Sequence, residues 1–101
     1  MQVPDDVARF VESRFAPAER GEALDLLAGA VLHDGTAPGP RLLRCAAVAS
    51  DGSLERLRME VETLKRDYRD VIVEGEYAPR DGKLVRLRDL NHPISPKGDE
   101  Q

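Results

Sequence analysis

Between Leu54 and Tyr68 the apolar residues Leu54, Leu57, Val61, Leu64 and Tyr68 recur at steps of three and four, with charge almost everywhere between them. Only a helix puts these five on one side. At 100° per residue they fall within an arc of about 80°, while Glu55, Arg56, Glu60, Glu62 and Arg66 lie outside it. A stripe that narrow needs a partner surface, so the chain is expected to fold by packing helix against helix.

The rest of the chain supplies such partners. Val7, Phe10, Val11 and Phe15 make the inner face of a first helix, about Pro4 to Phe15, with Asp5 and Asp6 at the positive end of its dipole. Ala16-Pro17 breaks it, because a residue before proline is pushed out of helical dihedrals. A second helix is expected from Pro17 to His33, with Leu24, Leu27, Ala28, Val31 and Leu32 on one side and Ala23, Leu26 and Ala30 on another. Only the strip around Glu22, Asp25 and Gly29 is polar, so this element is expected to be the most buried, at the centre of the fold. His33-Asp34-Gly35 reads as its stop, with Gly35 as a left-handed C-cap and His33 favoured by the helix dipole.

A third helix, about Pro40 to Ala49, packs Leu42, Leu43, Cys45, Ala46 and Ala49, and either Asp51 or Ser53 caps the helix that carries the stripe. After Tyr68 the pattern supports two structures. Asp67 and Asp70 read as the N-cap and first turn of a fifth helix from Tyr68 to Tyr77, after which an extended tail runs on from Ala78. Alternation from Asp70 to Tyr77, a turn at Arg80-Asp81-Gly82 and a return over Lys83 to Asp89 describe instead a β-hairpin, in which Glu74 and Glu76 face Arg86 and Arg88. The helical reading is preferred because an isolated hairpin is marginally stable. The expected fold is all-α, a compact bundle of four to five short helices with an extended C-terminal tail. The alternative is α+β, with a hairpin at about 70–89. Residues 1–94 form one domain, since 101 residues hold one core, and 95–101 are expected to be disordered.

Composition narrows function mainly by exclusion. The net charge of −4 is carried by residues 1–40, where seven acids face Arg9, Arg14 and Arg20. Every basic cluster is interleaved with acids, which argues against a nucleic-acid-binding stripe. No span approaches the roughly 20 apolar residues needed to cross a bilayer, and the N-terminus lacks the basic and apolar regions of a signal peptide. Cys45 is the single cysteine and lies in an apolar run, which suits a core residue in a reducing compartment. A cytoplasmic protein is expected, and twelve Arg against three Lys beside abundant Ala fit a GC-rich bacterial genome. His33 and His92 form no His-x-x-x-His or Glu-x-x-His pair, and the scattered glycines form no phosphate loop. No cofactor or metal is expected. Glu60 with Glu62 and Glu74 with Glu76 sit two apart on helical segments and read as solvated faces.

The most concentrated polar and aromatic cluster is Asp67-Tyr68-Arg69-Asp70. Caps and a local ion pair account for it as a helix junction, and Tyr and Arg make it the first place to seek a partner-binding patch. The run Asp51-Gly52-Ser53-Leu54-Glu55-Arg56-Leu57, followed by Asp67-Tyr68-Arg69-Asp70-Val71-Ile72 and Glu76-Tyr77, resembles a group of small bacterial helical proteins that share a DG-x-L-x-x-L … D-[YW]-R-D-V-[IL] pattern. The likeness covers about residues 40–77. It implies a bacterial, helical protein and assigns no activity and no catalytic residue. Where that pattern reads Ala-Ala, this chain has Glu74-Gly75. By elimination the chain is expected to be non-enzymatic and to act on a protein partner or its own copy, with Met59 and the tail from Leu84 to Ile94 as further apolar surface. The competing expectation is a ligand-binding protein or enzyme with a pocket between helices.

Overall fold

The computed structural model describes residues 3–94; the tail expected at 95–101 lies outside them. Five α-helices come first: α1 (Asp5–Arg14), α2 (Arg20–Ala28), α3 (Pro40–Ser50), α4 (Leu54–Arg66) and α5 (Tyr68–Glu76). A single 3-10 turn, Pro17–Glu19, leads into α2, and a short antiparallel pair, β1 (Tyr77–Arg80) and β2 (Lys83–Arg86), follows α5. The helical bundle is thus the fold, and part of the expected tail is a hairpin. The two readings of the region after Tyr68 occur in succession: helix as far as Glu76, then strand.

The centre of the bundle is α3, not α2. Leu43, Cys45, Ala46, Ala47, Ala49 and Ser50 are all buried on α3, whereas α2 buries Ala23 and Leu27. α3 packs on α5, α4 and α1. Its small side chains allow the approach: a Cβ on Gly75 of α5 would stand 2.7 Å from the Cα of Cys45 and 2.8 Å from its carbonyl oxygen. Helix two stops at Ala28, with the Gly29 N–H still donating to the Asp25 carbonyl, and the following apolar residues are covered by the core without being helical. Ala30 is buried in that irregular segment. Gly35 does take a left-handed φ of 86°, but in a turn that Asp34 closes by accepting from the Thr36 N–H and hydroxyl. His33 sits exposed in this loop, five residues beyond the end of α2 and so not in its last turn.

The α3–α4 link is tight because Asp51 and Gly52 both adopt positive φ, after which Ser53 caps α4 by accepting from the Arg56 N–H. Arg14 at the end of α1 pairs with Asp51 at 2.9 Å. On α4, Leu57 and Leu64 are fully buried and Leu54 and Val61 line the core. Tyr68 does not complete the stripe, since α4 ends at Arg66 and Tyr68 opens α5 with its side chain exposed. Asp67 separates the two helices and caps the second by accepting from the Arg69 N–H. Arg58 on α4 pairs with Glu22 on α2.

Candidate functional site

Three acids on inward positions organise the polar interior: Asp6 on α1, Glu60 on α4 and Glu76 on α5. Glu76 is the hub. As the last residue of α5 it is fully buried, and Arg41 grips it with two bonds of 2.9 Å from Nε and Nη2. Arg86 of β2 donates to Oε1 from Nη2 at 2.9 Å, the Leu90 N–H donates to Oε2 at 3.0 Å, and the Cys45 thiol lies 3.8 Å away. Burial opposes ionisation, but Arg41, the Leu90 N–H and Arg86 more than offset it, leaving Glu76 below the usual carboxylate range. The Glu76 carbonyl accepts from the Leu87 N–H at 2.6 Å, extending the ladder of the hairpin by one rung. The root of the hairpin is therefore fixed to the body through both the side chain and the main chain of one residue.

Asp6 plays a similar part at the other end. It accepts from Arg44 Nε at 2.9 Å and from the Ile94 N–H at 2.9 Å, and these bonds outweigh its burial and lower its pKa. Arg44 also donates to the Leu90 carbonyl at 3.2 Å. Leu90 and Ile94 bury their side chains in the core between these anchors.

Glu60 differs. It is 4% exposed, its Oε1 has no hydrogen-bond partner, and its carboxyl group is pushed up to about 8 by burial and by Glu74 of α5. A neutral carboxylic acid beside a carboxylate is the stable arrangement of such a pair. The expectation that Glu60 and Glu76 belong to solvated faces is therefore wrong. On the wheel, Glu60 lies about 40° beyond Leu64, on the flank that meets Glu74 of α5. Asp6 and Glu76 carried a weak sequence signal, since each stands four residues from an inward apolar neighbour, Phe10 and Ile72 respectively. Cys45 is a core residue with no exposure, its thiol pushed up to about 12 by burial and by Glu76, which leaves it inert as a nucleophile.

The cluster Asp67-Tyr68-Arg69-Asp70 lies at the start of α5. Asp67 accepts from the Arg69 N–H and guanidinium at 3.1 Å each, so two of the four residues satisfy one another. Tyr68, Arg69 and Asp70 are exposed. Met59 is exposed on α4, and the largest remaining apolar exposure is on β2, where Leu84 is 57% and Val85 40% exposed. The tail residues divide accordingly: Leu84 and Val85 face solvent, whereas Leu90 and Ile94 are core.

The hairpin turn is Asp81-Gly82, with φ of 52° and 76°, the two-residue turn whose twist suits a right-handed strand pair. Tyr77 pairs with Arg86, Ala78 with Val85, Pro79 with Leu84 and Arg80 with Lys83. Leu84 therefore shares a face with Tyr77, Pro79 and Arg86, and Val85 shares the other with Ala78, Arg80 and Lys83. Among the described residues no group of three or more His, Cys, Asp or Glu side chains is arranged to hold a metal ion, and no helix is long and apolar enough to cross a membrane. Comparison with protein-family models, with curated proteins and with solved structures gave no match.

Proposed function

We propose that the protein is non-enzymatic and works by contact with another protein, presenting the β1–β2 hairpin as its docking element. The observation that carries this is the contrast between the hairpin's root and its blade. The root is held by the buried Glu76 carboxylate through Arg86 and by the Glu76 carbonyl through Leu87. The blade leaves every residue of β2 exposed, Leu84 and Val85 on opposite faces. A rigidly mounted element with apolar side chains in water is the kind of preorganised surface that binds at low entropic cost. Tyr68 and Arg69 offer a second anchor on the outer end of α5. The buried thiol of Cys45 and the sequence composition support a cytoplasmic, bacterial setting for this role.

The test is affinity capture of the full chain from its native cells, compared with a Leu84→Asp/Val85→Asp variant. Both positions are exposed, so the variant keeps its helical circular dichroism. The expected result is a co-purifying protein that is lost with the hairpin variant and retained with Met59→Asp. A monomer that captures nothing, or capture indifferent to the hairpin change, overturns the proposal. Loss with Tyr68→Ala/Arg69→Ala alone moves the surface to α5.

A further inference from the structure

We infer that the outer edge of β2 is a strand-addition site for an extended segment of a partner protein carrying two adjacent apolar residues followed by an acidic one; this rests on the hairpin being the docking element. The two edges of the hairpin are not equivalent. In an antiparallel pair, opposite residues alternate between those that exchange hydrogen bonds with each other and those whose N–H and C=O point away. The bond from the Leu87 N–H to the Glu76 carbonyl sets the phase. The Arg80–Lys83 and Ala78–Val85 pairs bond inward, while Pro79–Leu84 and Tyr77–Arg86 point their main-chain groups outward.

Pro79 has no N–H, so the β1 edge is missing a donor where an added strand would need one. The β2 edge keeps the N–H and C=O of both Leu84 and Arg86, and none of these four groups has a further main-chain partner among the described residues. An antiparallel segment therefore makes four main-chain bonds there.

Side chains decide what that segment carries. An incoming strand meets Arg86, Val85, Leu84 and Lys83 in turn. Arg86 is already occupied by Glu76 and Asp89. Val85 and Leu84 are exposed and call for apolar neighbours. Lys83 has no ion-pair partner among the described residues, nor has Arg80 across the strand pair from it, and an acid opposite Lys83 meets both.

The probe is the capped hexapeptide Thr-Ile-Val-Glu-Thr-Glu, titrated into the full-length labelled protein while amide hydrogen exchange is followed by NMR. At a concentration about ten times its Kd, the Leu84 and Arg86 amides are expected to exchange about tenfold more slowly. The Thr-Ile-Val-Lys-Thr-Lys peptide is expected to give no protection, and Lys83→Glu to exchange the preference between the two peptides. Equal protection by both peptides, or protection that spares Leu84 and Arg86, overturns the inference. If the peptide fails while Leu84→Asp/Val85→Asp still abolishes capture, strand addition alone is wrong; if capture ignores the hairpin, the docking element itself is wrong.

Discussion

Replacing Gly75 with alanine separates what helix propensity favours from what packing permits. Gly75 lies inside α5, and in a free helix alanine would gain about 1 kcal/mol over glycine. In this fold the added methyl would stand 2.7 Å from Cys45 Cα, 2.8 Å from Cys45 Cβ and 2.8 Å from its carbonyl oxygen. None of these is the movable end of a side chain, so α5 must retreat from α3 by roughly 0.7 Å before ordinary van der Waals contact is restored. That retreat also lengthens the Glu76 bonds to Arg41 and the Leu90 N–H, one residue further on. Overpacking of a close helix pair costs typically 1–3 kcal/mol, and weakening a buried charge-assisted cluster adds to it. After the propensity gain, a net loss of about 2–3 kcal/mol is expected, equivalent to a Tm roughly 10–20 °C lower for a domain of this size. Urea and thermal unfolding followed by circular dichroism measure it directly. Gly21→Ala is the matched control: it is helical, exposed and has nothing within 4 Å of its added Cβ, so it should be neutral or stabilising by up to about 1 kcal/mol. A Gly75→Ala protein as stable as the parent, or a Gly21→Ala protein as damaged as Gly75→Ala, would show that the α3–α5 approach does not limit this position.

Glu76→Gln should cost about 3 kcal/mol, because it leaves Arg41 and Arg86 converging on a neutral group; faster exchange at the Leu90 amide is the accompanying signature, and a loss below about 1 kcal/mol would count against the hub. For Glu60 the raised pKa means the folded protein holds a proton that the unfolded chain releases between the ordinary carboxylate range and about 8. Stability from this group is therefore full in acid and falls as pH rises through that window. Glu60→Gln should flatten the decline in denaturant midpoint across that window, and an unchanged slope in the variant would remove Glu60 as its source. Asp6 and Glu76, whose pKa values are lowered, act oppositely: their contribution is present above the ordinary carboxylate range and is lost as pH falls through it, which acid titration of the Glu60→Gln variant isolates. Asp67→Ala should cost about 1 kcal/mol through loss of the α5 cap, with Asp70→Ala close to neutral; equal effects would mean that capping does not explain the pair.

Helix positions were legible wherever a cap and a period agreed. Ser53 with the Leu54 stripe, Pro40 with its alanine-rich face, and Asp67 before Tyr68 all occur as their local chemistry dictates. The apolar face of α1 was equally plain, with Val7, Phe10, Val11 and Phe15 buried together. Helix two is shorter than its apolar pattern because the core covers Ala30 and Leu32 in an irregular segment, and burial leaves the same apolar pattern there as a helix does. The order of burial differs from the hydropathy order for a related reason: in this bundle the centre goes to the helix with the smallest side chains facing its neighbours, and α3 outranks the more hydrophobic α2. The hairpin was legible in its turn at Asp81-Gly82 and its return strand, though it begins only after the helix has ended. The buried acids were the least legible. Whether a glutamate is solvated or enclosed depends on partners distant in sequence, Arg41 for Glu76 and Arg44 for Asp6, which no local period announces. Of the proposed surface, the structure adds only exposure: Tyr68, Arg69 and Asp70 face solvent, and the exposed pair Leu84 and Val85 is set apart from the rest of the tail only once Leu90 and Ile94 are seen to go inward.

The carboxylate of Asp6, which takes the Ile94 N–H across 88 positions of sequence, has a bearing on how the protein is made. As a nascent chain leaves the ribosome, α1 emerges first, and Asp6 has to wait for residue 94 before its lone pairs are answered. A compact form that lacked residue 94 would leave the Asp6 carboxylate to Arg44 alone, so closing this cluster requires the Leu90–Ile94 stretch, and the two extremes of the described fold are completed together.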